Sequence, residues 1–331
     1  MRLNGCAGKD AGVPGPSRSE GTPGSLPGMR FGIWPSPQQS WEDTLELVRH
    51  CEATGWDSVY FADHFMPNGP DTEPLDGDSL ECWSVLSALA AQVPRVRLAP
   101  LVTSVTYRHP AVLAKIAAAV DLISGGRLTL GLGAGWQENE HASYGLELGT
   151  IKERMDRFEE AVEIVASMLR QTRTTFKGRY FEVTDAPNQP TPAQERLPIL
   201  IGGGGEKRTL RIAARWADEW NYWSTPDVLE HKVAVLRSHC EQLGRDPAEI
   251  HVSTQALLYL SEDESWLAGK RSADGGQPVI VGTPSEVVEI VSRYAAAGAD
   301  ELIIPAFTFG STRRGKETCD LFITEVASHF R

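Results

Sequence analysis

Asp63 and His64 stand side by side at the end of a short apolar run, Ser58–Ala62. An imidazole that titrates near neutral pH, with a carboxylate beside it, can act as a general acid or base. Two other apolar runs empty into glycine. One passes through Gly131, Gly133, Ala134 and Gly135 to Trp136, with Glu138, Asn139, Glu140 and His141 just beyond. The other, Ile199–Ile201, ends in Gly202, Gly203, Gly204 and Gly205 and opens a helix bearing Lys207, Arg208 and Arg211. Glycine has no Cβ and tolerates positive φ, so its backbone can lie close to a flat or anionic ligand. Free amides, a helix N-terminus and cations together make an anion site. Plainer alternatives stand beside these readings: a capped loop at Asp63, a packed polar residue at His64, a solvated helix position at His141, and a tight strand-to-helix turn at the tetraglycine.

These residues need a scaffold that brings distant strand ends together. Strands are expected at Arg30–Trp34, Ser58–Ala62, Arg97–Val102, Leu128–Gly133, Ile199–Ile201, Glu219–Trp223, Ile250–Leu260 and Glu301–Pro305. Helices are expected between and after them, at Trp41–Thr54, Leu80–Gln92, Ala111–Ser124, Lys152–Arg170, Lys207–Trp216, Val228–Leu243, Ser285–Ala297 and Arg313–Phe330. Eight strand-then-helix units in unbroken order predict an α/β fold, a closed parallel (β/α)8 TIM barrel with insertions. Ser40 suits the first helix N-cap, with Asp43 at N3. Gly55 and Gly298 each end a helix before a strand, where the left-handed conformation is needed. Three excursions interrupt the rhythm: Phe65–Ser79, Arg173–Leu197 with a hairpin at Thr174–Tyr180, and a polar lid at Ser261–Val281. Barrel chemistry lies at the C-terminal strand ends. Asp63-His64, both glycine exits, Trp34 and Asn221–Trp223 all fall there.

The chain has 331 residues and a net charge of −12, which argues against a nucleic-acid partner. No apolar run reaches about 18 residues, so no membrane span is expected. Five cysteines are scattered without a Cys-x-x-Cys pair, so neither a disulfide framework nor a zinc site is suggested, and a reducing cytoplasm is the expected home. Residues 1–28, rich in Gly, Pro and Ser, read as a disordered tail, leaving 29–331 as one domain.

Taken together, Ala62-Asp63-His64-Phe65, Tyr107-Arg108-His109-Pro110, the Ser124–Trp136 segment and Ile199–Leu210 resemble the bacterial luciferase-like superfamily, from Met29 to about Phe307. Within it the chain looks most like the branch that uses the deazaflavin coenzyme F420. The resemblance implies hydride transfer between F420 and a small organic substrate, with His64 and Asp63 catalytic beside the ring. The alternative is a two-component monooxygenase using reduced flavin mononucleotide (FMN); a metal-dependent barrel hydrolase and a non-catalytic ligand-binding barrel are further readings, and no metal is expected. By the same resemblance Pro100, Leu101 and Thr103 back the ring, with a non-prolyl cis peptide expected at Pro100-Leu101. Gly133, Ala134, Gly135, Asn139 and His141 would flank the cofactor. Gly202, Gly203, Gly204, Gly205 and Arg208 would hold its phosphate. One departure stands out. Some relatives carry a catalytic Glu after the second glycine of the 133–135 turn. This chain has Trp136 there, leaving Glu138 or Glu140 to substitute. Trp34, Phe65, Trp136 and Trp223, with Met66, Tyr222 and Phe307, would wall a pocket for an alcohol, ketone or activated alkene rather than a polyanion. The resemblance also implies a homodimer paired through outer helices, with Cys82 and Trp83 at the seam, and a separate cofactor reductase.

Overall fold

Eight short apolar runs become barrel staves because each is followed by a helix whose apolar stripe covers its outer face. The computed structural model describes residues 28–68, 73–271 and 277–331. The expected tail lies, apart from Gly28, outside the described residues, as does part of the expected lid. In chain order the elements are β1 (Arg30–Trp34), α1 (Trp41–Thr54), β2 (Ser58–Phe61), α2 (Cys82–Gln92), β3 (Arg97–Pro100), β4 (Thr103–Ser104), α3 (Pro110–Ser124) and β5 (Leu130–Gly133). Then come α4 (Glu138–Ser143), α5 (Ile151–Arg170), β6 (Arg173–Lys177), β7 (Glu182–Pro187), β8 (Ile199–Gly202), α6 (Thr209–Trp216), β9 (Glu219–Trp223) and α7 (Pro226–Gln242). The chain closes with β10 (His251–Gln255), β11 (Leu257–Leu260), α8 (Glu264–Arg271), β12 (Val279–Gly282), α9 (Pro284–Ala296), β13 (Glu301–Pro305) and α10 (Thr312–Glu325).

The barrel runs β2, β1, β13, β10, β9, β8, β5, every pair parallel, with β3 beside β2 and β4 beside β5. Thus β3 and β4 are two halves of one stave. An isolated bridge, Leu98 to Leu128, closes the gap between them and the chain entering β5. Three sequence readings are corrected here. The expected strand Arg97–Val102 breaks after Pro100. The expected Ile250–Leu260 divides into β10 and β11, and β11 leaves the barrel to pair with β12 in a separate two-stranded sheet. The lid segment holds α8 and β12 among its described residues. The caps follow the sequence: Ser40 accepts from Asp43 N, and Gly55 and Gly298 both take φ of 98°.

Inside the barrel, period-two alternation stacks side chains in layers. The lowest layer is charged. Arg30 meets Glu301 at 3.0 Å, Arg97 meets Glu219 at 2.8 Å, and His251 Nε2 lies 3.2 Å from Glu301. Tyr60 donates to Glu301 at 2.9 Å, and Ser58 also donates to it. Burial works against the Glu301 carboxylate, yet Arg30, His251 and Ser58 hold it down to about 2. Above lies an apolar layer of Trp34, Tyr60, Ala62, Ala99, Leu101, Leu200 and Ile303. It closes the floor of the mouth.

Candidate active site

A cavity of about 820 Å³ opens at the C-terminal strand ends, within the range of small-molecule and cofactor sites. Trp34 enters from β1, Asp63 and His64 from the loop after β2, and Leu101, Val102 and Ser104 from the split stave. Gly133, Ala134, Gly135 and Trp136 follow β5; Gly202 and Gly203 follow β8; Asn221, Tyr222 and Trp223 come from β9. Met66, Gln255 and Phe307 complete the apolar and amide walls. No lysine or arginine lines this cavity among the described residues.

The split stave shapes the cavity's inner wall. Leu101 N still donates to Phe61 O at 2.8 Å, so the ladder with β2 runs one residue past Pro100. The cis peptide falls at the next bond, Leu101-Val102, one residue beyond the expected Pro100-Leu101. Val102 then projects between β5 and β8. A Cβ on Gly133 would lie 2.6 Å from Val102 Cγ2, and one on Gly202 would lie 2.9 Å from Val102 Cγ1. A Cβ on Gly131 would meet Pro100 O at 2.1 Å. These glycines therefore make room for the protein's own bulge. Gly204 does the same for the Tyr222 ring, which a Cβ would meet at 2.5 Å. Gly203, at φ of 116°, turns the chain toward α6. The amides of Gly204 and Gly205 donate to no acceptor among the described residues.

Asp63 is buried and clamped by Arg108, whose two terminal nitrogens lie 2.6 and 3.1 Å from its oxygens. Arg108 also reaches Glu81 at 2.5 Å. Burial pushes the Asp63 carboxyl up, and the Arg108 charge only partly opposes it. No hydrogen bond joins Asp63 to His64 among the described residues. The carboxylate that meets His64 belongs to Glu140: Nδ1 lies 3.0 Å from Oε2. The imidazole also meets the Trp136 ring edge-on, centroids 5.5 Å apart.

The remaining expected residues separate into two groups. Leu101, Gly133, Ala134, Gly135, Gly202, Gly203, Trp34, Trp136 and Trp223 converge on the cavity with Asp63 and His64. Pro100, Thr103, Asn139, His141, Gly204, Gly205, Arg208 and Phe65 lie outside its walls. Thr103 is buried and accepts from Trp83 Nε1 at 2.9 Å. Asn139 donates to Glu73 O at 2.9 Å. His141 is neither a solvated residue nor a free ligand. Its Nδ1 faces Gln137 O at 2.7 Å and its Nε2 faces Thr106 Oγ1 at 2.6 Å, while burial lowers its pKa. Arg208 pairs with Asp156 at 2.7 Å and Glu159 at 3.1 Å. Phe65 packs between Tyr107 and Tyr144, with centroids at 4.7 and 5.2 Å. Sequence reasoning missed the Asp63–Arg108 clamp and the Tyr107–Glu140 contact. The missed signal was topological: a carboxylate buried at one strand end needs a cation from the neighbouring stave. Among the described residues no cluster of three or more potential metal ligands occurs, and no helix is long and apolar enough to cross a membrane.

Comparison with known proteins follows this geometry. The luciferase-like monooxygenase family model matches residues 26–268. An F420-dependent glucose-6-phosphate dehydrogenase of Microbacterium testaceum is 34% identical over 57% of this chain. The match spans only 55% of that relative's length. An F420-dependent hydroxymycolic acid dehydrogenase of Mycobacterium tuberculosis is 29% identical over 78% of this chain and 70% of the relative. Among solved structures, the coenzyme F420-dependent tetrahydromethanopterin reductase of Methanopyrus kandleri superposes with a TM-score of 0.78. That match has 20% identity and covers 92% of this chain and all of the other, a likeness of fold.

Proposed function

We propose, from the premise that the chain belongs to the luciferase-like monooxygenase family, that it is an oxidoreductase moving hydride between coenzyme F420 and a small organic substrate. The observation that carries this reading is the convergence of His64, the Leu101-Val102 bulge and both glycine exits on one aromatic-walled cavity. The F420-dependent relatives support the choice of cofactor. When bound, the deazaflavin would supply a ring carbon that accepts or donates hydride. The cavity fits such a group: it is large and largely apolar, and just beyond its walls the amides of Gly204 and Gly205 meet no acceptor among the described residues. Leu101 and Val102 would back the ring, the Gly133–Gly135 backbone would flank it, and Gly202–Gly205 would take its phosphate.

His64 would move the substrate's hydroxyl proton, being the imidazole on the cavity wall that Glu140 holds at Nδ1 while no group among the described residues hydrogen-bonds Nε2. Asp63, clamped by Arg108, would fix the loop that presents it. The substrate side is apolar: Trp34 meets Trp223 and Phe307 with centroids at 5.7 and 5.1 Å. With no lysine or arginine in the wall among the described residues, a phosphate dianion would enter without a counter-charge, at a large desolvation cost. We therefore favour an uncharged alcohol, ketone or activated alkene over a sugar phosphate. We also propose a cytoplasmic home, which the scattered free thiols suit, and, from the family resemblance alone, a homodimer served by a separate cofactor reductase.

Equilibrium titrations with F420 and with reduced FMN test the reading. F420 should bind at least tenfold tighter. Preference for reduced FMN would instead favour the monooxygenase reading of the same cavity.

A further inference from the structure

The short helix α4 turns three consecutive residues inward: Asn139, Glu140 and His141 are all buried. Glu140 is fully enclosed. Its carboxylate accepts three hydrogen bonds, from His64 Nδ1 at 3.0 Å, from the Tyr107 hydroxyl and from the Phe65 amide. Those donors come from two segments, the loop after β2 and the loop before α3, so one carboxylate ties three parts of the mouth together. Burial alone would push the carboxyl up. The His64 and Tyr107 hydrogen bonds more than offset it and leave Glu140 below the usual carboxylate range.

An ionised carboxylate only accepts. The proton between Glu140 and His64 must therefore sit on Nδ1. In the neutral ring, Nε2 is then left with a lone pair. No group among the described residues hydrogen-bonds Nε2, and the ring lies on the cavity wall. The neighbouring His141 shares the Nδ1 arrangement but differs at Nε2. Its Nδ1 donates to a carbonyl, Gln137 O, and its Nε2 is closed by the Thr106 hydroxyl. Of the two imidazoles joined to α4, one is sealed and one is open.

We infer that Glu140 is the positioning residue that fixes His64 as its Nδ1–H tautomer and so makes Nε2 the proton acceptor of the reaction. In the oxidative direction the substrate O–H bond breaks, its proton passes to Nε2, and C=O forms as hydride leaves carbon for the deazaflavin. The imidazolium keeps its Nδ1–H against Glu140, whose charge stabilises it. Reduction runs the same steps backwards. The identity of the hydride acceptor rests on the function proposed above; the tautomer does not.

Proton-detected nitrogen-15 spectra of the labelled full-length protein, without cofactor and at a pH where His64 is neutral, test it. The wild-type His64 should show a protonated Nδ1 and a bare Nε2. Glu140→Gln should give mixed tautomers at His64 while His141 keeps its pattern. With F420 and a turned-over alcohol, the same variant should lose about 10–100-fold in kcat, with KM and F420 affinity held within about threefold. A wild-type His64 protonated on Nε2 would overturn the inference, even if the variant fails to fold. So would a variant that raises KM at unchanged kcat. Failure to bind F420 with the expected tautomer intact would sink the cofactor reading alone.

Discussion

The two ends of the barrel interior are built from the same staves by the same alternation, and they differ in what closes each charge. At the lower end Arg30, Glu301, His251, Arg97 and Glu219 neutralise one another across the bore. At the upper end the inward positions become Trp34, Leu101, Gly202 and Trp223, and the ionisable groups move onto loops. There Asp63 is sealed by Arg108, while His64 is held by one nitrogen and left open at the other. A barrel puts stability in its N-terminal end and chemistry in its C-terminal end. In this chain the lower layer sets its main charges against one another, and among the described residues the upper layer leaves Nε2 of His64 without a partner.

The largest effect should come from removing that open group. His64→Ala should lower turnover about 10²–10⁴-fold, roughly 3–5 kcal/mol of barrier, with F420 affinity within a few-fold. Steady-state kinetics beside a binding titration checks it; an unchanged rate would place the proton transfer elsewhere. Glu301→Ala tests the lower end. It strands Arg30 and His251 in the bore, and should cost about 3–5 kcal/mol in urea unfolding. Because the folded Glu301 titrates near 2, against an ordinary 4.5, its contribution is complete above about pH 4.5 and is lost as pH falls toward 2. The wild type should lose stability across that window faster than the Glu301 variant does. If Glu301→Ala instead depressed kcat of the folded enzyme as strongly as His64→Ala, the two ends would not be separable.

Much of this contrast was legible in the chain. The strands Arg30–Trp34, Glu219–Trp223 and Glu301–Pro305 match the structure residue for residue, because alternating apolar runs bounded by helix caps leave little freedom. His64, Trp34, Trp136 and Trp223 were placeable on the mouth because they follow strand ends. What was hidden depends on neighbours across the barrel. The charged lower layer comes from strand residues far apart in sequence, and only their register makes Arg30 face Glu301. The glycines read as ligand-facing serve first to admit Val102, a packing need no local pattern reveals. Glu140 was nameable beside Glu138, but choosing between them required knowing which face of a six-residue helix turns inward.

The smallest expected effect lies at the rim, where a cation was expected on the cofactor's phosphate. Arg208 sits at the start of α6, but its guanidinium is spent on Asp156 and Glu159 of α5. Those carboxylates would have to be released before it could meet an anion, and the pairing returns little because the group is partly exposed. The backbone amides of Gly204 and Gly205 carry no such debt. Arg208→Ala should therefore shift F420 affinity by less than about threefold and stability by less than about 1 kcal/mol. Isothermal titration at two salt concentrations measures both the loss and its ionic component. A tenfold loss that vanishes at high salt would mean the α5 pairs open on binding, and the rim would join the mouth as a place where charge is held in reserve.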